Sequence, residues 1–432
     1  MESQRTKFNQ HLFSFLDQSP TPFHAVQWLS TRLKQAGFRQ LNETQPWGTL
    51  AAGRYFITRH DGALIALTLP EQPLADTGLH MVGAHTDSPC LKVKPQPESN
   101  QGQVCQLGVE VYGGALLHPW FDRDLSMAGR VTYLDDKQTL HHCLVDFKRP
   151  VAVIPSLAIH LDQSANKART INAQQHLPPI VMQWSADAPF DFRQQLLRQV
   201  KVQYPETELT RVLDYDMSLY DVQKATLVGF DQAFISSARL DNLLSCFCAV
   251  DALLNSDMTQ ANLLVLSDHE EVGSVSASGA QGSFLEAVLS RLCPDAESFH
   301  RMMQRSMLIS TDNAHARHPN YADKHDPAHC PVLNHGPVIK HNANQRYATN
   351  SDTSARFRWL CEKAKVPVQD FVVRSDMGCG STIGPIVAAS LGVKTIDVGV
   401  PTLAMHSVRE LAGAYDACYL SRVLTHFFND NE

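Results

Sequence analysis

The segment 261–274, ANLLVLSDHEEVGS, decides the fold class. Leu263 to Leu266 form an apolar run of buried-strand length, which breaks abruptly into Asp268, His269, Glu270 and Glu271. The same pattern recurs along the chain: GLHMVGAHTD (78–87) runs into His85 and Asp87, MLISTDNAHA (307–316) into Asp312, and VKTIDVGVP (393–401) leads to His406. Between them RLDNLLSCFCAVDALL (239–254) and TIGPIVAASLG (382–392) read as helices, the first opened by Asp241. Strands alternating with helices predict an α/β sheet, and in open sheets of that class ligands gather at the carboxyl ends of the strands.

Working outward, the first forty residues predict two helices, with stripes at Phe8, Leu12, Phe15, Leu16 and at Val26, Leu29, Leu33, Ala36. Thr21 before Pro22 is an N-cap with a first-turn proline, and Gly37 is a stop. ALIALTLP (63–70) predicts a further strand. From about Lys94 to Phe234 the character changes to alternating stretches such as QVCQLGVEVYGG (103–114), GRVTYLDD (129–136) and TLHHCLVDF (139–147), which predict a separate β-rich domain. Residues 161–179, rich in Gln, Asn and Ala, predict a long loop.

Composition limits the function classes. The 432 residues are 44% hydrophobic and 19% charged, too apolar for a disordered chain. Lys plus Arg at 37 against Asp plus Glu at 44 leaves a net charge of -7, so no global basic field draws nucleic acid. No apolar run approaches the ~18 residues of a membrane span, and the polar start MESQRTKFNQ lacks a signal-peptide core. The ten cysteines are scattered, with only Cys246 and Cys248 close together, and read as reduced thiols in a cytoplasmic protein. Seven of the twenty histidines (His300, His315, His318, His325, His329, His335, His341) crowd one stretch, a weak pointer to metal or proton chemistry.

At the strand ends stand His85 and His406 with Asp241, Glu270, Glu271 and Asp312. Mixed imidazole and carboxylate donors suit zinc, or manganese and cobalt, and six such groups exceed one tetrahedral ion, so two ions are expected. A carboxylate bridges ions ~3.5–4 Å apart, each ion takes one His and one further carboxylate, and one acidic group is left over. One Glu of the adjacent pair ligates while the other serves as general base, and Asp87 is placed to orient His85.

HTDSP at His85, RLDNL at Asp241, DHEEVGS at Glu270, DNAHARHPNY at Asp312 and MHS at His406 together resemble the aspartyl aminopeptidase family of dinuclear zinc exopeptidases. SPTPFHAV (19–26), GPVIK (336–340), NQRYATN (344–350) and CGSTIGP (379–385) extend the likeness over essentially the whole chain. The resemblance implies metal ligation by His85, Asp241 (bridging), Glu271, Asp312 and His406, with Glu270 as catalytic base and Asp87 as its orienting Asp. It also implies substrate contacts by His160, His315, Lys340 and Tyr347, His160 being open to a second reading as a metal ligand. The implied fold is a three-layer catalytic domain with a mixed sheet, residues 1–93 and 235–432, interrupted by a β-rich dimerisation domain, residues 94–234. Dimers are expected to assemble into a tetrahedral dodecamer. The implied reaction is removal of N-terminal residues from peptides, with Asp and Glu preferred because of Lys340.

Two competitors stand beside this reading: another di-zinc hydrolase, such as a carboxypeptidase or N-acyl amidohydrolase, and a self-assembling scaffold with structural metals. A structural site has no use for a non-ligating base, so the paired Glu residues favour catalysis. GCGST (378–382) resembles a phosphate-binding turn, but no Lys follows at the required spacing, and packing near the substrate is the better expectation.

Overall fold

A computed structural model describes residues 2–185, 189–257 and 259–430. The chain divides into two compact units, residues 1–88, 225–405 and 410–432 in the first, and residues 89–224 with 406–409 in the second. The sequence predicts an inserted region at 94–234; the compact unit begins earlier, ends earlier, and takes His406 with it.

The first unit is built on a nine-stranded mixed sheet. At its centre the strands Asn262–Ser267, His80–His85, Met307–Thr311 and Lys394–Gly399 lie side by side and parallel. Ala63–Leu69 pairs antiparallel with Asn262–Ser267 on one flank, and Val338–His341 pairs antiparallel with Lys394–Gly399 on the other. Successive side chains of a strand point to opposite faces, and both faces here are apolar. Val82, Ala84, Leu264, Leu266 and Ile309 pack on one side against the helices Glu2–Gln18, Pro22–Gln35, Leu240–Leu254, Ser351–Ala364 and Asp416–Phe428. Met81, Leu263, Val265 and Leu308 pack on the other against Phe284–Leu292, Ala296–Arg305 and Ile383–Leu391. The result is three layers, which explains why the strands read as continuous apolar runs.

The local signals act as expected at the amino end. Thr21 caps Pro22–Gln35, its side chain accepting the His24 N–H, and Gly37 takes a positive φ just past the helix end. A short helical turn, Leu74–Thr77, intervenes between Ala63–Leu69 and His80–His85. A small second sheet of five strands, including Glu410–Gly413, Pro401–Leu403 and Ala314–His315, completes the unit.

The second unit is a six-stranded antiparallel sheet from Cys90–Gln101, Val104–Tyr112, Leu125–Asp135, Leu140–Asp146, Ile180–Gln183 and Leu209–Asp221. Its inner face (Leu91, Leu107, Met127, Val131, Met217) is sealed by Phe192, Leu196 and Val200 of the helix Phe192–Gln203. The stretch expected as a loop holds two single helical turns, Ala165–Ala168 and Ala173–His176, the latter capped by Asn172. Both turns expose most of their residues, but Leu177, just past the second, is buried in the core of this unit, with Ile171 and Ala173 packed against it.

Candidate metal centre and active site

The parallel register sets the site. Asn262–Ser267, His80–His85 and Met307–Thr311 are adjacent in that order, so their carboxyl ends project His85 from the middle strand, Glu270 and Glu271 from one neighbour and Asp312 from the other. Asp241 arrives from the start of Leu240–Leu254, where the Asp241–Asn242 peptide is cis. Its backbone is held on two sides, Glu410 accepting its N–H at 2.9 Å and Ser88 donating to its carbonyl at 2.6 Å, and the side chain of the next residue, Asn242, donates to the Thr311 carbonyl at 2.9 Å.

His85 is almost fully buried. Its Nε2 faces Asp241 Oδ1 at 3.4 Å, Asp312 Oδ1 at 3.5 Å and Glu270 Oε2 at 4.0 Å, while Nδ1 meets the Asp87 carbonyl at 3.0 Å and its carboxylate at 3.4 Å. Burial alone would lower its basicity, but hydrogen bonds to Asp241, Asp312 and Asp87 outweigh it and hold the imidazole well above its ordinary range. Burial pushes the Glu270 carboxyl up to about 7, with His85 pulling it down and Asp312, Asp87 and Asp241 adding to the rise. The Asp87 carboxylate accepts the backbone N–H groups of both Glu270 and Glu271, each at 3.1 Å.

This donor set fits a zinc ion. One donor atom each from His85, Asp241 and Glu271 lies within 4.8 Å of the others, the one such trio to converge among the described residues. Donors around a tetrahedral zinc with bonds of ~2.0–2.1 Å stand ~3.3 Å apart, close to the 3.4 Å between His85 Nε2 and Asp241 Oδ1. Five carboxylates (Asp87, Asp241, Glu270, Glu271, Asp312) crowd one imidazole and one ammonium, that of Lys340, an excess of negative charge that calls for further cations.

Lys340, on Val338–His341, is 2% exposed; its Nζ lies 3.2 Å from Asp312 Oδ2 and 5.4 Å from the centre of the Tyr347 ring. Tyr347 is buried with Ala314, Val338 and Phe371, and its hydroxyl is held far above its usual range by burial and then by neighbouring Cys379. His315 is exposed, its ring edge-on to Phe371 at 5.7 Å. The remaining two expected site residues belong to the second unit. His160 sits in an exposed turn, and His406, with a positive φ, directs Nδ1 to the Gly114 carbonyl at 3.1 Å.

Supporting residues went unread in the sequence. Glu410, Ser88 and Asn242 bind backbone around Asp241, and the Cys246 thiol donates to the His85 carbonyl at 2.9 Å. Ser88 and Asn242 had a signal, their places in HTDSP and RLDNL. The other histidines of the crowded stretch form no group of three ligands among the described residues; His329 pairs with Asp326 and His341 with Asp370. The ten cysteines are reduced, in no disulfide, and no helix of the described residues is long and apolar enough to cross a membrane.

Residues 15–428 match the family described as aminopeptidase I zinc metalloprotease (M18). A protein of Ectopseudomonas mendocina named "Probable M18 family aminopeptidase 2" is 56% identical over 428 residues, 99% of each chain. One of the same name from Azotobacter vinelandii is 56% identical over 425 residues, covering 98% of this chain and 99% of its own. Among solved structures, a chain in the complex of Ape4 and Nbr1 superposes with a TM-score of 0.94 at 38% identity, covering 99% of this chain and 86% of its own. The S. cerevisiae mApe1 dodecamer superposes with a TM-score of 0.85 at 28% identity, over 97% of this chain and 95% of its own. The chain belongs to the aminopeptidase I (M18) family of zinc metalloproteases.

Proposed function

We propose that this aminopeptidase carries two zinc ions per subunit and removes Asp and Glu from peptides with a free N-terminus. The observation that carries the proposal is a buried ammonium, Lys340, 3.2 Å from Asp312 at the edge of the carboxylate cage. In this reading His85, Asp241, Glu271, Asp312 and His406 would hold the ions, and His160 would contact substrate or metal. When bound, the ions polarise the scissile carbonyl and acidify the attacking water. Glu270, with a carboxyl at about 7, is matched to take the water's proton near neutral pH and return it to the leaving amine. Asp87 fixes the Glu270 backbone and the His85 ring, and so sets the direction of that transfer.

An acidic side chain entering beside Lys340 exchanges hydration for a fixed ammonium in a pocket walled by Tyr347, where charge pairing is stronger than in water. His315 and Tyr347 steady the rest of the substrate. We read the assembled form as dimers joined through the second unit into a tetrahedral dodecamer, supported by the likeness to the dodecameric yeast enzyme. The reduced cysteines favour a cytoplasmic setting.

The test is kcat/KM for Asp-, Glu- and Leu-starting peptides in the wild type and in Lys340→Leu. The expected result is a wild-type preference for Asp and Glu that collapses in the variant while bound zinc is retained. A wild-type preference for Leu overturns the acidic specificity.

A further inference from the structure

Asp397 lies in the strand Lys394–Gly399, fully buried. The register Ile339↔Val398 sets it across from Lys340 on the neighbouring strand. One carboxylate oxygen accepts the Thr382 hydroxyl at 2.6 Å and the other accepts the Ala348 N–H at 2.7 Å. The Asp397 N–H in turn donates to the Thr349 hydroxyl at 3.1 Å. A single side chain therefore joins two loops far apart in sequence: the turn carrying Tyr347, and the Gly378–Thr382 stretch carrying Cys379, which itself contacts Tyr347. The fit is tight, since a Cβ on Gly384 would stand 2.4 Å from both carboxylate oxygens.

Burying a carboxylate among neutral donors is costly, because its hydration is replaced by only a few hydrogen bonds. An amide would retain one acceptor oxygen and set an N–H₂ against one of the two donors. Only a carboxylate accepts from both loops at once. The bonds it makes to Thr382 and Ala348 end on the wall of the Lys340 pocket and on none of the metal-cage side chains.

Resting on the reading that Lys340 meets the substrate's first side chain, we propose that Asp397 is a positioning residue for that pocket, fixing the Tyr347 turn and the Cys379–Thr382 stretch on either side of Lys340. It acts through those loops and touches no substrate.

The test uses full-length, zinc-loaded enzyme with Thr382→Val, Thr382→Ser and Asp397→Asn. Thr382→Val keeps the side-chain shape and removes one hydrogen bond to Asp397. It and Asp397→Asn are expected to raise KM for an Asp-starting peptide about 3- to 10-fold, the size of a lost hydrogen bond, with kcat within about twofold and KM for a Leu-starting peptide changed far less. Thr382→Ser, which keeps the hydroxyl, should restore wild-type KM. Peptide-resolved maleimide labelling should show Cys379 reacting faster in Thr382→Val and Asp397→Asn. Unchanged KM and unchanged Cys379 labelling in Thr382→Val overturn the proposal, as does an equal KM rise for both peptides. The wild-type ratio of Asp to Leu cleavage judges the Lys340 reading separately: if Leu is preferred that reading falls, and Cys379 labelling alone then decides whether Asp397 holds the loops.

Discussion

Asp87 Oδ1 accepts the backbone N–H of Glu270 at 3.1 Å, and because the bond is to the main chain it commits neither oxygen of the Glu270 side chain. The second Asp87 oxygen does the same for Glu271, and the carboxylate stands 3.4 Å from His85 Nδ1. One buried carboxylate thus orients an imidazole and the turn that presents the acidic pair.

Asp87→Asn turns an N–H₂ group toward at least one of those donors. Zinc affinity is expected to fall about 10- to 100-fold, the usual cost of losing a partner that orients a ligand. Competition against a chelator of known affinity measures it, and unchanged zinc binding would remove Asp87 from the account.

The two Glu residues should separate cleanly. Glu270→Gln is expected to keep zinc and peptide binding while kcat falls about 10²- to 10⁴-fold, the share of a general base. Glu271→Gln is expected to lose zinc. Metal analysis beside steady-state kinetics checks both, and exchanged phenotypes would show that the assignment within the pair is reversed.

Stability should depend on pH through His80, whose ring packs on Phe427 at 4.8 Å. Burial first, then Arg356, pushes its pKa down to about 4, with Asp430 acting the other way. The folded state therefore binds fewer protons than the unfolded chain, so this contribution is complete above the unfolded value of 6.5 and is lost as pH falls toward 4. Between pH 7 and pH 5 the wild type should lose about 2 kcal/mol more than His80→Phe. Thermal melts of the two proteins at both pH values check this, and parallel losses would contradict it.

The strands were legible because apolar runs ending in His85, Glu270 and Asp312 carry both the burial signal and the chemistry. The sheet order was not. Asn262–Ser267 enters between Ala63–Leu69 and His80–His85, a long-range pairing with no local trace in either segment. Asp397 was hidden for a related reason: within TIDVGV it reads as one polar residue in a strand, and its partners Thr382 and Ala348 come from separate loops. The backbone bonds of Asp87 were equally invisible, since sequence spacing suggests side-chain partners and says nothing of which main-chain N–H a carboxylate will meet.

The most direct measurement is hydrolysis of one Asp-starting peptide, with its N-terminus free or acetylated, by protein stripped of metal and titrated back with zinc. The account predicts no activity without metal, recovery as up to two zinc ions bind per chain, and cleavage of the free peptide only, releasing its first residue. Full activity in metal-free protein, or release of residues from the acetylated peptide or from the carboxyl end, would contradict it.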